Sequence, residues 1–368
     1  MCSPEDKAIP FRVLTIDGGG IRGLYTAALL KDIMDHYAQL RGVKSGLDIG
    51  TGFDLIAGTS TGGILACALA KGLHPDKVVS LYSEHGPSIF PSPQPSGKGS
   101  ALIRWAWKHR RSSSANGLAL KKRLEDVFGT TTLADLYRER RIALCVPAVH
   151  AETSCSKVFK TPHDPDFTID SCFKLSDVCL ATSAAPIVFP VAKIQDHRNA
   201  YRQCCFLDGG LWANNPVLVG LIEALHINKL NGEEDRPIDI FSVGTCSPAT
   251  GHAITNPDRG VFDWNFGVGP LGLSIDAQAT GHGYMAVHIA RYLKCEANIV
   301  RLPCSSPSSG EAQHLALDNP SQEAVQVLLD RARHDSQTVL SKIKNGDADL
   351  CRLALVFEMM KPYEEVYQ

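Results

Sequence analysis

The 368-residue chain lacks the features that would mark a membrane-spanning, nucleic-acid-binding or disulfide-built protein. No segment approaches the roughly 20 consecutive apolar residues that span a bilayer, so any membrane contact is expected to be peripheral. The N-terminus does not read as a signal peptide: Met1 to Pro10 is polar, and Phe11 to Ile16 is too short for an apolar signal core. Positive charge is not in excess. The formal net charge of -2 speaks against a nucleic-acid polymer as partner, since such domains are normally basic. Twelve cysteines are present, but none form a C-x-x-C pair, and the adjacent Cys204 and Cys205 are poorly placed to bridge each other. Cys67, Cys145 and Cys179 stand in apolar runs, as small buried hydrophobes do. Reduced thiols in a cytoplasmic compartment, with no metal site, are therefore expected. There is no internal repeat.

What is present is the composition of a soluble globular chain, 44% hydrophobic and 21% charged, large enough for one extensive core. Phe11 to Ile16 reads as a buried first strand ending at a glycine loop, and Gly23 to Tyr37 follows with a helical repeat of apolar residues. A second strand over Phe53 to Ala57 leads through a tight turn into a helix over Gly63 to Leu69. Further strands are expected at Ile142–Val149, Lys157–Lys160, Cys205–Leu207, Ile238–Val243 and Ile299–Leu302, with helices at Leu175–Ser183, Pro216–Lys229 and Ser321–Ile343. Strands alternating with helices imply an α/β protein with a largely parallel sheet covered on both faces. Its active loops would lie at the carboxyl ends of the strands.

Three glycine-rich signatures fall at such ends. Gly58-Thr59-Ser60-Thr61-Gly62 fits the G-x-S-x-G turn, in which small neighbours let a strained serine project into a cleft. The serine would then stand at a helix N-terminus, where the dipole and free N–H groups favour developing negative charge. Asp17-Gly18-Gly19-Gly20-Ile21-Arg22-Gly23 precedes it, and Asp208-Gly209-Gly210 follows a short apolar strand. Together they supply what acyl transfer needs: a nucleophile, oxyanion donors and a base. Ser60 also suits a plain tight turn, and Asp208 a plain Asx turn. Serine is unreactive at its own pKa, so an adjacent proton acceptor is required. The spacing of Gly18, Gly20 and Gly23 also matches a dinucleotide loop, but Asp32 and Asp35 lie within the first helix rather than after a second strand. A Ser-Asp-His triad using His282 or His288 is the rival within hydrolases.

The same segments carry a family resemblance. The chain resembles the patatin-like phospholipases in Asp17 to Gly23, Phe53 to Gly63 and Phe206 to Gly210. The likeness extends through Ala181-Thr182-Ser183-Ala184-Ala185-Pro186, Ala213-Asn214-Asn215-Pro216 and Ser242-Val243-Gly244-Thr245. It implies a three-layer sandwich and a Ser-Asp dyad, with Ser60 as nucleophile, Asp208 as base and no catalytic histidine. The oxyanion donors would be Gly18, Gly19, Gly20 and Thr61, supported by Arg22, Gly58, Gly62 and Gly209. Arg22 is expected either in a surface or structural ion pair or on a lipid phosphate. Among members, the chain looks most like bacterial effectors activated by cyclic nucleotides in antiphage defence. That implies no required cofactor, a cyclic dinucleotide activator, phospholipid substrate at the inner face of the membrane, and scope for a homo-oligomer. A storage or binding protein that kept the cleft is the non-enzymatic alternative.

Two regions stand apart from these motifs. Residues 87–116 combine Pro91, Pro93 and Pro95 with the basic, tryptophan-bearing run from Ile103 to Arg111, which suits a lid or membrane-contact loop as well as a solvated surface loop. Residues 8–250 are expected to form the catalytic core, and 251–368 a C-terminal helical, regulatory part packed on it. Arg259, Trp264 and Arg291 are its candidates for nucleotide contact.

Overall fold

The structure is a computed structural model that describes residues 9–90, 114–196, 203–247, 258 and 268–363. The expected lid and the candidates Arg259 and Trp264 fall largely or wholly outside those residues; of 87–116, residues 91–113 are not described.

Among the described residues eight strands form one sheet: β1 (Phe11–Ile16), β2 (Leu55–Gly58), β3 (Ala143–His150), β4 (Cys155–Lys160), β5 (Ala192–Gln195), β6 (Gln203–Asp208), β7 (Ile238–Val243) and β8 (Ala297–Arg301). β8, β7, β1, β2 and β3 are parallel neighbours in that order. β4, β5 and β6 add antiparallel pairings. The main helices are α1 (Gly23–Leu40), α2 (Thr61–Lys71), α3 (Asp76–Ser83), α4 (Ser114–Phe128), α5 (Leu133–Arg140), α6 (Leu175–Thr182), α7 (Val217–Leu230), α8 (Val268–Ala290), α9 (Gln322–Lys344) and α10 (Ala348–Met359).

Two-residue alternation along the central strands builds the layers. Phe11, Val13, Leu55, Ala57, Ile238 and Ile240 face one side, where Val217, Leu221 and Ala224 of α7 and Ala286 of α8 cover them. Leu14, Ile16, Ile56, Phe241 and Val243 face the other, against α1, α2, α9 and α10. With both faces buried the strands read as near-continuous apolar runs, as parallel sheets require. The outcome is the expected three-layer α/β sandwich. Leu328, Val339 and Phe357 join the same core as Leu14, so the C-terminal helices and β8 complete the fold rather than forming a separate core.

One feature of the sheet places the site. β2 and β4 both pair with Cys145 of β3, so they lie on opposite edges of it. β4 and β6 both pair with residues 148–150, so they too lie on opposite edges. β2 and β6 therefore share one edge of β3, end to end. β2 runs parallel to β3 and β6 antiparallel, so their carboxyl ends point at each other. The serine turn leaves one end, and Asp208 closes the other.

Candidate active site

Ser60 sits between β2 and α2 with φ 55° and ψ -125°. Such a φ is uncommon for a residue with a Cβ and costs of order 1–3 kcal/mol, so the surroundings must hold it. Several bonds do. The Ser60 N–H donates to Thr182 Oγ1 at 2.9 Å, and Thr182 Oγ1 donates to Pro147 O at 2.6 Å. Thr59 N donates to Ile16 O, and Thr59 Oγ1 donates to Ala213 O at 2.6 Å. Gly63 and Ile64 donate to the Ser60 carbonyl, starting α2 directly beneath the side chain. Gly58 and Gly62 approach each other so closely that a Cβ on Gly58 would enter the Gly62 carbonyl, while one on Gly62 would strike Ile16 O and Asp17 O. The two glycines of the turn are there for clearance.

The Ser60 hydroxyl donates to Asp208 Oδ2 at 2.7 Å. The other carboxylate oxygen, Oδ1, accepts from Gly210 N at 2.6 Å. Asp208 N and Gly209 N are fixed by Ala184 O and Thr182 O, and a Cβ on Gly209 would collide with Pro147 O. Asp208 is 6% exposed and Ser60 8%. Burial pushes the Asp208 carboxyl up to about 6, against the smaller downward pull of the bonds from Gly210 and Ser60. A raised pKa makes the carboxylate a stronger base while leaving it mostly ionised at neutral pH. His282 Nδ1 lies 3.3 Å from Asn215 O, and the His288 ring packs on Tyr284. Neither histidine is hydrogen-bonded to Ser60 or Asp208.

The glycine loop after β1 lies across from this pair. Gly18 is corrected as a donor: its N–H is spent on Asn214 O at 2.9 Å. Its role is proximity instead, since a Cβ there would collide with Asn214 Oδ1 and press on Ser60 Cβ. Gly19 N, Gly20 N and Thr61 N have no acceptor among the described residues. Gly20 takes φ 57°, and Thr61 opens α2, where the first N–H groups are unpaired by construction. Thr61 Oγ1 donates to Gly20 O at 2.6 Å and ties the two donor segments together.

Arg22 is buried, which removes both a surface ion pair and an exposed phosphate contact. Its Nε donates to Gly19 O at 3.3 Å and its guanidinium to Ser247 Oγ at 3.1 Å. Burial lowers its pKa, with Asp276 the largest opposing charge. Asp17 accepts two bonds from Arg301, at 3.0 and 2.5 Å, and Thr245 Oγ1 donates to Gly18 O at 3.2 Å. Thr182, Thr245, Ser247 and Arg301 were given no role from the sequence. Thr182 and Thr245 do lie in segments already singled out, Thr182 at a helix end against the serine turn and Thr245 beyond a strand end against the glycine loop.

Fold and sequence together define a lipid acyl hydrolase. The family model described as patatin-like phospholipase matches residues 14–221, and the chain belongs to that family. A cGAMP-activated phospholipase of Pseudomonas aeruginosa is 34% identical over 333 residues, 90% of this chain and 89% of the relative. A cGAMP-activated phospholipase of Vibrio cholerae is 30% identical over 341 residues, covering 90% and 92%. Among solved structures, human GIVD cytosolic phospholipase A2 aligns at 12% identity with a TM-score of 0.44, over 95% of this chain and 60% of that one.

Proposed function

We propose that the chain hydrolyses ester bonds of membrane glycerophospholipids with a Ser60–Asp208 dyad, and that a cyclic dinucleotide switches it on in antiphage defence. The observation that carries the chemistry is the 2.7 Å bond from the Ser60 hydroxyl to a buried carboxylate whose pKa is raised to about 6. Ser60 Oγ attacks the ester carbonyl while its proton passes to Asp208 Oδ2. The N–H groups of Gly19, Gly20 and Thr61 receive the oxyanion, with Arg22 and Thr245 bracing the glycine loop from behind. Collapse expels the alcohol, which takes the proton from Asp208. Water then attacks the acyl-enzyme, activated by the same carboxylate. Loss of one oxyanion donor in a hydrolase costs roughly 100- to 1000-fold in turnover, so three such donors can offset a base weaker than histidine.

Among the described residues no helix is long and apolar enough to cross a membrane. Peripheral contact fits α8, an apolar helix that the other described residues leave largely uncovered. Leu273, Tyr284, Met285 and Ile289 on it, and Tyr292 just beyond, are exposed, with Arg291 and Lys294 beside them. Its Gln278 side chain accepts from Asn214 N, so the helix reaches the loop that follows Asp208. A helix apolar on all sides normally has a covering phase, and tyrosines with flanking cations suit a headgroup layer at the inner leaflet. Activation by a cyclic dinucleotide is brought to this chain from the names of its relatives, with residues 251–368 as the proposed regulatory part. Product analysis on phospholipid vesicles, with and without cyclic dinucleotides, tests both claims. Fatty acid release that rises with one dinucleotide supports them; release unchanged across the panel removes the regulatory one, and no release removes the substrate.

A further inference from the structure

Three consecutive glycines cannot fix their own conformation. Gly18, Gly19 and Gly20 have the widest backbone freedom of any residues, yet Gly19 and Gly20 must aim their N–H groups at a developing oxyanion. The aim of those donors therefore depends on what grips the loop at its two ends. Asp17 is the last side chain before the glycines, and Ile21 is the first after them.

At the first end, Arg301 holds Asp17 with a fork. Its Nη1 donates to Asp17 Oδ1 at 3.0 Å and its Nη2 to Oδ2 at 2.5 Å, so each carboxylate oxygen takes one arm of the guanidinium. Nη1 also donates to Ser242 Oγ at 2.7 Å, which sets the fork against the end of β7. Arg301 is the register partner of Ser242, and Leu302 N donates to Ser242 O at 2.9 Å just beyond. Gly244 leaves room for the head group, since a Cβ there would lie 2.7 Å from Arg301 Nη2. Asp17 is buried, its N–H is on Val243 O, and its side chain has no other hydrogen-bond partner among the described residues. At the far end, Ile21 N donates to Leu317 O at 2.8 Å, and a Cβ on Gly20 would collide with that same carbonyl. Both grips come from the C-terminal part of the chain.

We propose that Arg301 is a positioning residue for ester hydrolysis: its fork on Asp17 keeps the Gly19 and Gly20 donors aimed at the oxyanion, while Leu317 O fixes the far end of the loop. Arg301 acts through Asp17 and touches no reacting atom. The fork, and not the charge alone, is what the loop needs. Two parallel charge-assisted bonds fix the orientation of a carboxylate, whereas a lysine ammonium offers a point charge. The Arg301 side chain is half-exposed, so replacing it takes little from the apolar core. What replacement leaves is a buried carboxylate without its partner, at the residue that enters the loop.

The inference rests on the Ser60–Asp208 reading, because a positioning role needs that reaction to serve. The full chain is compared with Arg301→Lys, Arg301→Met and the double variant Asp17→Asn/Arg301→Met. Each is measured for kcat and KM on a soluble short-chain ester, for Tm, and for inhibition by a trifluoromethyl ketone, whose serine adduct carries the oxyanion. Arg301→Met should leave KM unchanged and lower kcat about tenfold or more, within the roughly 100- to 1000-fold that losing a whole donor costs. The ketone should bind more weakly by the same factor, since its adduct resembles the transition state. Arg301→Lys keeps the charge and should still lose kcat. The double variant buries no unpaired charge, so it should regain Tm without regaining kcat. Parental kcat in Arg301→Met with a lower Tm, or kcat recovered along with Tm in the double variant, makes the pair a stability element and overturns the proposal. Lost kcat with unchanged ketone affinity overturns it too, as does parental kcat in Arg301→Lys. Where Arg301→Met does not fold, the double variant and Arg301→Lys decide. A parent chain with neither ester turnover nor ketone binding counts against the Ser60–Asp208 mechanism itself, and the positioning role falls with it.

Discussion

Replacing Asp208 by Asn should abolish turnover and at the same time stabilise the protein at neutral pH. The carboxyl is buried and its pKa stands near 6 in the fold, against an ordinary value of 3.8. A shift of about 2 units corresponds to about 3 kcal/mol, favouring the protonated form in the native state. The sign follows from proton counting. Between pH 4 and 6 the folded chain holds a proton at Asp208 that the unfolded chain has released, so this group's contribution to stability falls as pH rises through that window. Above pH 6.5 the full cost of keeping a buried carboxylate is present. Asn carries no charge, its Oδ1 can accept from Gly210 N, and its amide can donate to Ser60 Oγ, so the cost is removed without orphaning either partner. The gain should be about 1.5 kcal/mol at pH 5 and up to about 3 kcal/mol at pH 8. For 368 residues the entropy of unfolding is about 0.8 kcal/mol/K, which makes the larger figure a rise of about 4 °C in Tm. Thermal unfolding of both proteins at the two pH values is the assay. A variant less stable than its parent at pH 8, or a difference that shrinks as pH rises, would refute a buried, charged Asp208.

Other consequences concern catalysis. Turnover should drop about tenfold per unit as pH falls below 6, where the base is protonated, and level off above 7; a profile flat down to pH 4 would exclude Asp208 as the titrating base. His282→Ala and His288→Ala should each retain most activity, and a loss matching Ser60→Ala in either would restore the triad. Gly19→Ala should lose about 100-fold or more in kcat, since its Cβ would drive into the Thr245 side chain and shift a proposed donor; an unaffected kcat would place the oxyanion elsewhere. Thr182→Val should cost about 1–3 kcal/mol in denaturant unfolding, because Ser60 N and Pro147 O both lose their partner; an unchanged midpoint would mean the strained turn is held without it.

Much of this was legible in the chain because each signal was local. β1 was read at Phe11–Ile16, as observed, because six apolar or β-favouring residues end at a glycine cluster. Ser60 was legible because a strand, a tight turn and a helix occupy consecutive residues. What pairing alone decides was not. Nothing in Gln203–Asp208 announces that β6 runs antiparallel along the edge of β3 that β2 has vacated, though that placement brings Asp208 to Ser60. Gly18 was misread as a donor because its competitor, Asn214 O, is remote in sequence. Arg22 is buried rather than on the surface, a placement set by Ser247 and Gly19 O that no local pattern announces, and it remains a support of the glycine loop. α8 lies in the part expected to be helical, but its bounds are not legible because its apolar residues lack a clear period, and many of them are exposed.

The central claim, a serine nucleophile driven by a carboxylate, is tested most directly by covalent capture. The full chain is incubated with a phosphonate ester that traps serine nucleophiles, and the modified peptide is identified by mass spectrometry alongside the labelling rate. The account predicts one adduct, on Ser60, and a labelling rate at least 100-fold lower in Asp208→Asn. An adduct on another residue, or labelling of Asp208→Asn at the parent rate, would contradict it.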